Sequence, residues 1–177
     1  MSISLKYIPH YTYEDYLQWE GRWELIHGFP YAMTPSPSFE HQDVNTRIIG
    51  ELYIKLAQCK HCKAIIFIDW KIKDDTVVQP DVSVICKPNF GKFLNVTPTL
   101  IFEILSPSTA QKDRFVKYEL YQEAGVKYYV LIDIGKKTAE VFELIEGEYE
   151  LINKLSTEKF PFDLEACNLE FEFSKIW

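Results

Sequence analysis

Apolar residues recur along the chain at spacings typical of helices and strands. The clearest helical pattern is a four-residue repeat that begins after Ser38, a favourable N-cap. Its members are Val44, Ile48, Leu52 and Leu56. This repeat predicts a helix over residues 39–58. Upstream, Thr12 and Asp15 resemble a capping box and predict a short helix over residues 13–19.

Three segments after the long helix are rich in β-branched and aromatic residues, which predicts strands. They span residues 64–72, 77–85 and 99–105. A second helix, capped by Ser108 or Thr109, then runs to about Ala124, and a continuous apolar strand follows at 126–134. The order helix, three strands, helix, strand predicts an α/β (α+β) fold with a mixed central sheet, in which the second helix connects two parallel strands.

Both ends of the chain add β-structure to this core. The segments W-E-L-I-H and P-Y-A-M predict a hairpin, so an N-terminal helix and hairpin occupy about residues 12–34. Alternating apolar positions around Glu146-Gly147 predict a C-terminal β-hairpin extension over 138–177, with its Phe-rich tail at the periphery. We therefore expect a single domain over 1–177 with a core at about 39–134.

The composition is that of a globular protein. Apolar residues make up 47% of the 177 residues and charged residues 25%. No apolar run approaches the roughly 18 residues of a membrane span. No basic segment followed by an apolar stretch begins the chain. We therefore expect a cytoplasmic protein with no membrane partner.

The net charge of −7 is concentrated at the C-terminal end. Residues 138–177 hold ten acidic and three basic residues, whereas residues 1–137 hold 16 of each. A uniformly acidic surface would disfavour nucleic acid, but the neutral part of the chain could carry a basic groove. The charge therefore permits a nucleic-acid partner without indicating one.

Four cysteines raise the question of a metal or redox site. Cys59 and Cys62 have the two-residue spacing of a zinc half-site. A second pair at such a spacing does not follow, since Cys86 and Cys167 are isolated in the sequence. Together with the expected cytoplasmic setting, this favours four free thiols over structural zinc or redox chemistry.

Two carboxylates occupy segments that the pattern predicts to be buried strands. Glu103 is surrounded by apolar residues in T-L-I-F-E-I-L, and Asp81 follows Pro80 in V-V-Q-P-D-V-S-V-I. A buried carboxylate is costly unless it is paired, protonated or bound to a metal. Because Pro80 lacks a donor for the strand ladder, it implies a break that can turn Asp81 toward a site.

The two acids lie on successive predicted strands, which would be about 4.8 Å apart if paired, and they could share a divalent cation. Carboxylate ligands suit Mg²⁺ or Mn²⁺ rather than zinc. Lys117, beside the inward stripe of the second helix, is the cation that we expect to face them, whereas Lys112 and Arg114 look solvated or phosphate-contacting. The residues alone leave open a structural ion pair, or a turn-capping role for Asp81.

Five segments, in a fixed order over about residues 12–150, are similar to the signatures of one nuclease family. Three are V-V-Q-P-D-V-S-V-I, T-L-I-F-E-I-L-S-P-S-T and D-R-F-V-K-Y-E-L-Y-Q-E-A-G-V-K-Y-Y-V-L-I-D, and the N-terminal two are W-E-L-I-H-G and P-S-P-S-F-E-H. Together they resemble the Uma-type restriction endonuclease family of the PD-(D/E)xK nuclease superfamily. The resemblance implies a restriction endonuclease-like fold with an α-β-β-β-α-β core.

The resemblance also implies roles for individual residues. Pro80-Asp81 would be the PD motif and Glu103 the second acid, both binding the metal, with the Ile104 carbonyl as a further ligand. The superfamily lysine usually lies two residues after that glutamate, where this chain has Leu105. In this family the lysine looks to have moved to the following helix, where Lys117 matches it.

Four further residues are candidates for the same site. Glu24 resembles an N-terminal acid that serves catalysis and metal binding in many superfamily members, although an outward hairpin acid would look the same. His41 matches a family histidine that could contact phosphate or transfer a proton. Asp113 could hold Lys117 through an i,i+4 pair, and Tyr121 fits the core better than catalysis.

These inferences predict an endonuclease that hydrolyses DNA phosphodiester bonds, with Mg²⁺ (or Mn²⁺) held by Asp81 and Glu103 and with Lys117 orienting the attacking water. The alternative is a catalytically inactive nucleic-acid or protein binding module on the same fold, which Leu105 and the acidic tail favour. DNA is the expected partner. A homodimer would suit double-strand cutting.

Overall fold

Three β-sheets and three helical segments make up the part of the chain that the structure describes. The computed structural model describes residues 8–33, 37–86 and 93–177. The helices are α1 (Tyr13–Tyr16), α2 (Phe39–Lys55) and α3 (Tyr118–Glu123), with 3-10 turns at Leu56–Gln58 and Phe173–Lys175 and a π-helical turn at Lys112–Lys117. The strands are β1 (Trp23–Ile26), β2 (Phe29–Ala32), β3 (Cys62–Ile66), β4 (Trp70–Lys73), β5 (Thr76–Val78), β6 (Val82–Cys86), β7 (Leu100–Ile104), β8 (Tyr128–Asp133), β9 (Thr138–Ile145), β10 (Glu148–Leu155), β11 (Lys159–Asp163) and β12 (Asn168–Glu172).

The largest sheet has six strands in the order β10-β9-β8-β7-β6-β3. β7 and β8 are parallel and all its other neighbouring strands are antiparallel, so the sheet is mixed. A parallel pair needs a crossover connection, which the π-helical turn and α3 supply. Along the chain, α2, β3, β6, β7, α3 and β8 follow one another around this sheet. The predicted α-β-β-β-α-β core is therefore confirmed.

Two of the predicted strands are each divided between two sheets. The first changes sheet after β3, where Phe67 has a φ of 50°, and the second breaks around Pro80. The second half of the first segment is β4, and the first half of the second segment is β5. These two strands join the N-terminal hairpin in a four-stranded sheet with the order β2-β1-β5-β4. Pro80 indicated the second break, whereas the apolar pattern did not predict the first, because both halves of that segment are apolar.

The helix boundaries agree closely with the prediction for α2 and less well elsewhere. Ser38 caps α2, and its Oγ accepts a hydrogen bond from the amide of His41 (3.2 Å). α1 ends at Tyr16 rather than at residue 19, and the helix predicted up to Ala124 begins with a π-helical turn. None of the helices in the described ranges combines the length and apolar character that a membrane crossing requires.

Hydrophobic layers cover both faces of the large sheet. The hairpin β11–β12, which we call the C-terminal hairpin, forms part of one of these layers. Leu100, Phe102 and Ile104 of β7 pack with residues of α2 and of β11–β12. Phe171 is completely buried, and its ring centroid lies 5.2 Å from that of Phe102. The expectation that the tail lies at the periphery is therefore wrong. Its alternating Phe and Glu residues cover the sheet on one side and face water on the other.

The cysteines that we predicted to be isolated free thiols come together instead. The structure pairs Cys59 with Cys167 and Cys62 with Cys86 as disulfides, which leaves no free cysteine among the described residues. Cys62 and Cys86 are opposite each other in the β3–β6 pair. Cys59 and Cys167 are 108 residues apart in sequence, so their contact depends on the tertiary fold.

Candidate active site

The register of two strands brings Asp81 and Glu103 side by side. β6 and β7 are antiparallel with Val82 opposite Phe102, so Asp81, one residue before β6, lies opposite Glu103. The amide of Asp81 donates a hydrogen bond to Glu103 Oε2 (3.4 Å), and the amide of Ile104 donates to Asp81 Oδ2 (2.9 Å). The two acids that the sequence predicted to share a site therefore meet at one end of this strand pair.

Glu103 lies in a fully buried strand but has two donors on one of its oxygens. Lys117 Nζ and the Tyr121 hydroxyl each donate to Glu103 Oε1 at 2.8 Å. The lysine that contacts Glu103 therefore comes from the helical segment after β7, as the resemblance implied, and not from position 105, where the superfamily lysine usually lies. Tyr121 is both a core residue and a hydrogen-bond donor to Glu103. The other oxygen of Glu103 faces Asp81.

The π-helical turn brings a second lysine to the same place. Lys112 and Lys117 are five residues apart, and in an α-helix such residues point about 140° away from each other. In a π-helical turn the backbone hydrogen bonds join residues five positions apart, so both side chains lie on nearly the same face. Both lysines pair with Glu24. Of the two roles expected for Lys112, a fully solvated side chain is wrong, whereas a phosphate contact stays a prediction. The α-helical spacing could not have revealed its position.

Glu24 is completely buried behind the two lysines rather than facing outward on its hairpin. Its Oε2 pairs with Lys112, and its Oε1 lies 3.0 Å from Lys117 Nζ and accepts a hydrogen bond from the Gln79 amide at 3.0 Å. Burial by itself raises the pKa of Glu24, but Lys117 and Lys112 outweigh it and lower that pKa to about 2. Glu24 therefore holds both lysines in place as an ionised carboxylate.

His41 faces Asp81 from the first turn of α2. Its Nε2 lies 3.3 Å from Asp81 Oδ2, the oxygen that also accepts the Ile104 amide. Burial lowers the pKa of His41, but hydrogen bonds and charge from Asp81, with a backbone hydrogen bond to Ile104, raise it overall. The predicted histidine and the first acid of the PD motif are therefore direct neighbours. The Oδ1 atom of Asp81 is left for another ligand.

A cavity of about 270 Å³ joins these residues to the surface. Its lining includes His41, Asp81, Glu103, Lys112, Asp113 and Lys117, together with Arg22, Ser106, Ser108 and Thr109. Glu24 does not line the cavity, because the two lysines lie in front of it. Leu105 packs with the apolar layer under α3 instead. Five of the eight predicted site residues therefore line one cavity.

The formal charges around this cavity do not balance. The carboxylates are Glu24, Asp81, Glu103 and Asp113, and the ammonium groups are Lys112 and Lys117. The guanidinium of Arg22 also lines the cavity, so four carboxylates face three cations and leave a formal charge of −1 when His41 is neutral. Carboxylates that outnumber their cations, in a site made of oxygen donors, suit a hard cation.

The buried charges shift one another strongly. Burial raises the pKa of Glu103 well above its ordinary value; Lys117 opposes this, and Asp81 and Asp113 add to it. Burial also raises the pKa of Asp113. For Lys117, burial favours the neutral form, but Glu103, Glu24 and Asp113 outweigh it and raise its pKa well above the ordinary value. Lys117 is therefore a permanent cation at neutral pH.

Comparison with known proteins agrees with this architecture. The sequence matches the family model of Uma2, described as "Putative restriction endonuclease", over residues 13–172. The chain is 28% identical over 180 residues to "Uncharacterized protein slr1290" of Synechocystis sp., a match that covers 96% of this chain and 92% of that protein.

A solved structure shows the same fold. It is described as a "putative nuclease belonging to DUF820" from Anabaena variabilis, and it superposes with a TM-score of 0.76 at 18% identity, covering 94% of this chain and 97% of the other. At this identity the similarity establishes the fold alone. The family match spans nearly the whole chain, and the order of its motifs agrees with the strands described above. The protein therefore belongs to the Uma2 restriction endonuclease family.

Proposed function

We propose that the protein is a metal-dependent endonuclease that hydrolyses phosphodiester bonds in DNA. The observation that carries this proposal is the meeting of Asp81, Glu103 and Lys117 at one cavity, around which carboxylates outnumber cations. Membership of the Uma2 family supports the reaction class. DNA is the substrate that the family description suggests.

The donors at the cavity suit Mg²⁺ or Mn²⁺. Asp81 and Glu103 would hold the ion, and the Ile104 carbonyl is the third ligand that we propose. Carboxylate and carbonyl oxygens are the ligands these ions prefer. The metal, when bound, would polarise the phosphodiester and favour ionisation of the attacking water.

Lys117 would act as a fixed cation rather than as a base. Two of its three N–H donors are engaged by Glu103 Oε1 (2.8 Å) and Glu24 Oε1 (3.0 Å). The third is left for a water or a phosphate oxygen, because Asp113 Oδ1 is farther away, at 3.7 Å. An ammonium group held in this way can orient the attacking water and stabilise charge that develops in the transition state.

Glu24 and Lys112 would have supporting roles: Glu24 would position the two lysines, and Lys112 would contact the substrate. Both oxygens of Glu24 are already engaged by lysines, so we propose that it positions them. Ligation of the metal by Glu24, the role that the resemblance implies, would require it to release one of these lysines. Lys112 lines the cavity and would contact a phosphate of the substrate. His41 would hold Asp81 in its orientation.

The inactive binding module on the same fold rests mainly on Leu105. That argument weakens if Lys117 performs the task of the missing lysine, and its 2.8 Å contact with Glu103 supports this substitution. A homodimer stays a prediction, based on the needs of double-strand cutting. The enzyme is therefore the function that the geometry favours.

A cleavage assay on supercoiled plasmid tests the proposal. We expect the wild-type protein to nick or linearise the plasmid with Mg²⁺ or Mn²⁺ and not with EDTA. Asp81→Asn, Glu103→Gln and Lys117→Met should each reduce the cleavage rate by at least about 100-fold, because each removes a charge at the reacting centre. The rates are measured by gel electrophoresis over time.

Lys127 and Asp163 offer matched controls, since they form an ion pair of 3.0 Å away from the cavity. Lys127→Met and Asp163→Asn repeat two of the chemical changes, and each should keep the rate within about twofold because exposed pairs contribute little. Equal, metal-independent cleavage by all variants would identify a contaminating nuclease and contradict the proposal. DNA binding that is unaffected by EDTA, with no cleavage, would support the binding module instead.

A further inference from the structure

Four cysteines from three distant parts of the chain gather at the end of β6 that lies away from the candidate active site. Cys59 follows the 3-10 turn after α2, and Cys62 begins β3. Cys86 ends β6, and Cys167 immediately precedes β12. β6 is five residues long, so about 15 Å of strand separates Cys86 from Asp81. The cluster is therefore independent of the carboxylates.

The sulfur atoms are close enough for one small ion. The Sγ atoms of Cys59, Cys62 and Cys167 all lie within 4.8 Å of one another, and those of Cys62 and Cys167 are 4.0 Å apart. In a tetrahedral zinc site with Zn–S bonds of about 2.3 Å, the sulfur atoms are about 3.8 Å apart. The Cys86 sulfur is outside this group of three, but it is bonded to Cys62, so it is the fourth sulfur that an ion could recruit once that disulfide is reduced.

The first two cysteines lie on one tight turn. Cys59 and Cys62 have the two-residue spacing of a zinc half-site, and the amide of Cys62 donates a hydrogen bond to the carbonyl of Cys59 (3.3 Å). The other two cysteines supply the second half of the site from a strand end and from a separate hairpin. Sequence spacing could not show this second half, because Cys86 and Cys167 are 81 positions apart by their numbers.

The surroundings of the cluster are compatible with its charge. Four thiolates around one Zn²⁺ carry a formal charge of −2. The surface groove that Cys59 and Cys62 line is also lined by Lys60, whose positive charge would offset part of it. Cys59 and Cys62 are buried, as ligands of structural zinc sites commonly are.

We propose that, when its thiols are reduced, the protein binds one Zn²⁺ through Cys59, Cys62, Cys86 and Cys167. The ion would join the C-terminal hairpin β11–β12 to β3, to β6 and to the end of α2. Thiolates are the ligands that favour zinc over the hard cations expected at the carboxylates. The protein would then hold two different metals at two separate sites, one structural and one at the cavity.

Metal analysis of the full-length protein tests this proposal. The chain is purified under a phosphine reductant without oxygen, and its zinc is measured by mass spectrometry. We expect about one zinc ion per chain. Titration of the zinc-free reduced protein with Co²⁺ should give the ligand-field and thiolate charge-transfer bands of tetrahedral thiolate coordination, reaching saturation at one equivalent.

Cysteine variants and matched controls locate the ion. Cys86→Ser and Cys167→Ser should each lose most of the bound zinc and alter the Co²⁺ spectrum. His61→Ala, which changes an exposed residue between the first two cysteines, and Asp81→Asn, at the other site, should both keep one zinc per chain. If a serine variant fails to fold, the stoichiometry and the Co²⁺ spectrum of the wild-type protein decide the question.

Two results would overturn the proposal. One is a reduced wild-type protein that carries no zinc and binds no Co²⁺ through thiolates. The other is zinc that remains bound in Cys86→Ser and Cys167→Ser but is lost in Asp81→Asn. Two disulfides in the protein as isolated, with no metal binding after reduction, would give the cysteines a purely covalent role.

Discussion

At the residue scale, Glu103 is a buried carboxylate whose two oxygens have different surroundings. Its Oε1 receives Lys117 and Tyr121, and its Oε2 faces Asp81. Lys117 is in turn shared with Glu24 and Asp113, so no single pair neutralises either group. A buried carboxylate that is incompletely paired raises the energy of the metal-free site. The divalent cation that we propose for this cavity would relieve the repulsion between the carboxylates of Glu103 and Asp81.

Glu24 leads to a prediction about pH. Its pKa is lowered from 4.5 to about 2 in the folded protein, so it stabilises the fold fully above about pH 4.5. This contribution is lost as the pH falls from about 4.5 to about 2, and its size is roughly 3 kcal/mol. We expect the difference in unfolding free energy between wild type and Glu24→Gln to shrink by about that amount over this range, as measured by urea unfolding.

Other acids titrate in the same pH range, but they are present in both proteins. The difference between the two unfolding free energies therefore reports on Glu24. Glu150→Gln, at an exposed position of β10, makes the same chemical change and should follow the wild-type curve. Parallel curves for wild type and Glu24→Gln across this range would show that the buried pairing with Lys112 and Lys117 does not stabilise the fold.

At the element scale, the π-helical turn decides which lysines reach the cavity. Its five-residue spacing puts Lys112 beside Lys117, whereas Arg114 points to β9 and pairs with Glu140 Oε2 (2.5 Å). π-helical turns are rare and occur often at functional sites. The sequence predicted a helix here correctly, but the local expansion depends on how the helix packs over β7 and β8.

Lys112 and Arg114, two of the three basic residues of this turn, should therefore differ in their effect on cleavage. Lys112→Met should lower the metal-dependent cleavage rate at least about tenfold, because it removes a positive charge from the cavity wall. Arg114→Met, the same kind of change on the same element, should leave the rate within about threefold, since Arg114 does not line the cavity. Initial rates on plasmid DNA measure both. Equal losses would mean that the spacing of the turn does not select the lysine.

At the scale of the whole molecule, the C-terminal hairpin covers one face of the large sheet. Phe162, Phe171 and Phe173 are completely buried there, and Phe102 of β7 contacts the first two. The strands that carry the acids are thus held from the face opposite to the cavity. Asp163, Glu165 and Glu170 of this hairpin are exposed to solvent.

Removing one of these rings should destabilise the folded protein. Phe171→Ala should lower the free energy of unfolding by roughly 3–5 kcal/mol, because it leaves a cavity in the core. Phe39→Ala is the matched control: this ring is 81% exposed, and its removal should change the free energy of unfolding by no more than about 0.5 kcal/mol. Urea denaturation measures both. A small effect of Phe171→Ala would show that the hairpin is a peripheral addition after all.

The sequence by itself determined the elements, their order and the identity of the two acids. Helical repeats, the Ser38 cap and the Pro80 break are local features, and they act through neighbouring residues. Motif order sufficed to indicate the family, and the match over residues 13–172 confirms it. The expectation that Lys117 reaches Glu103 agrees with the geometry, although the catalytic roles of these residues stay predictions.

Only the tertiary structure decided which side chains share a site. Glu24 is 79 positions from Glu103 along the chain, and the burial that makes its pairing strong exists only when the two sheets meet. The register of the π-helical turn, the cover provided by the C-terminal hairpin and the gathering of four cysteines have the same origin. Each depends on contacts between residues far apart in sequence, whereas periodicity and capping report on residues a few positions apart.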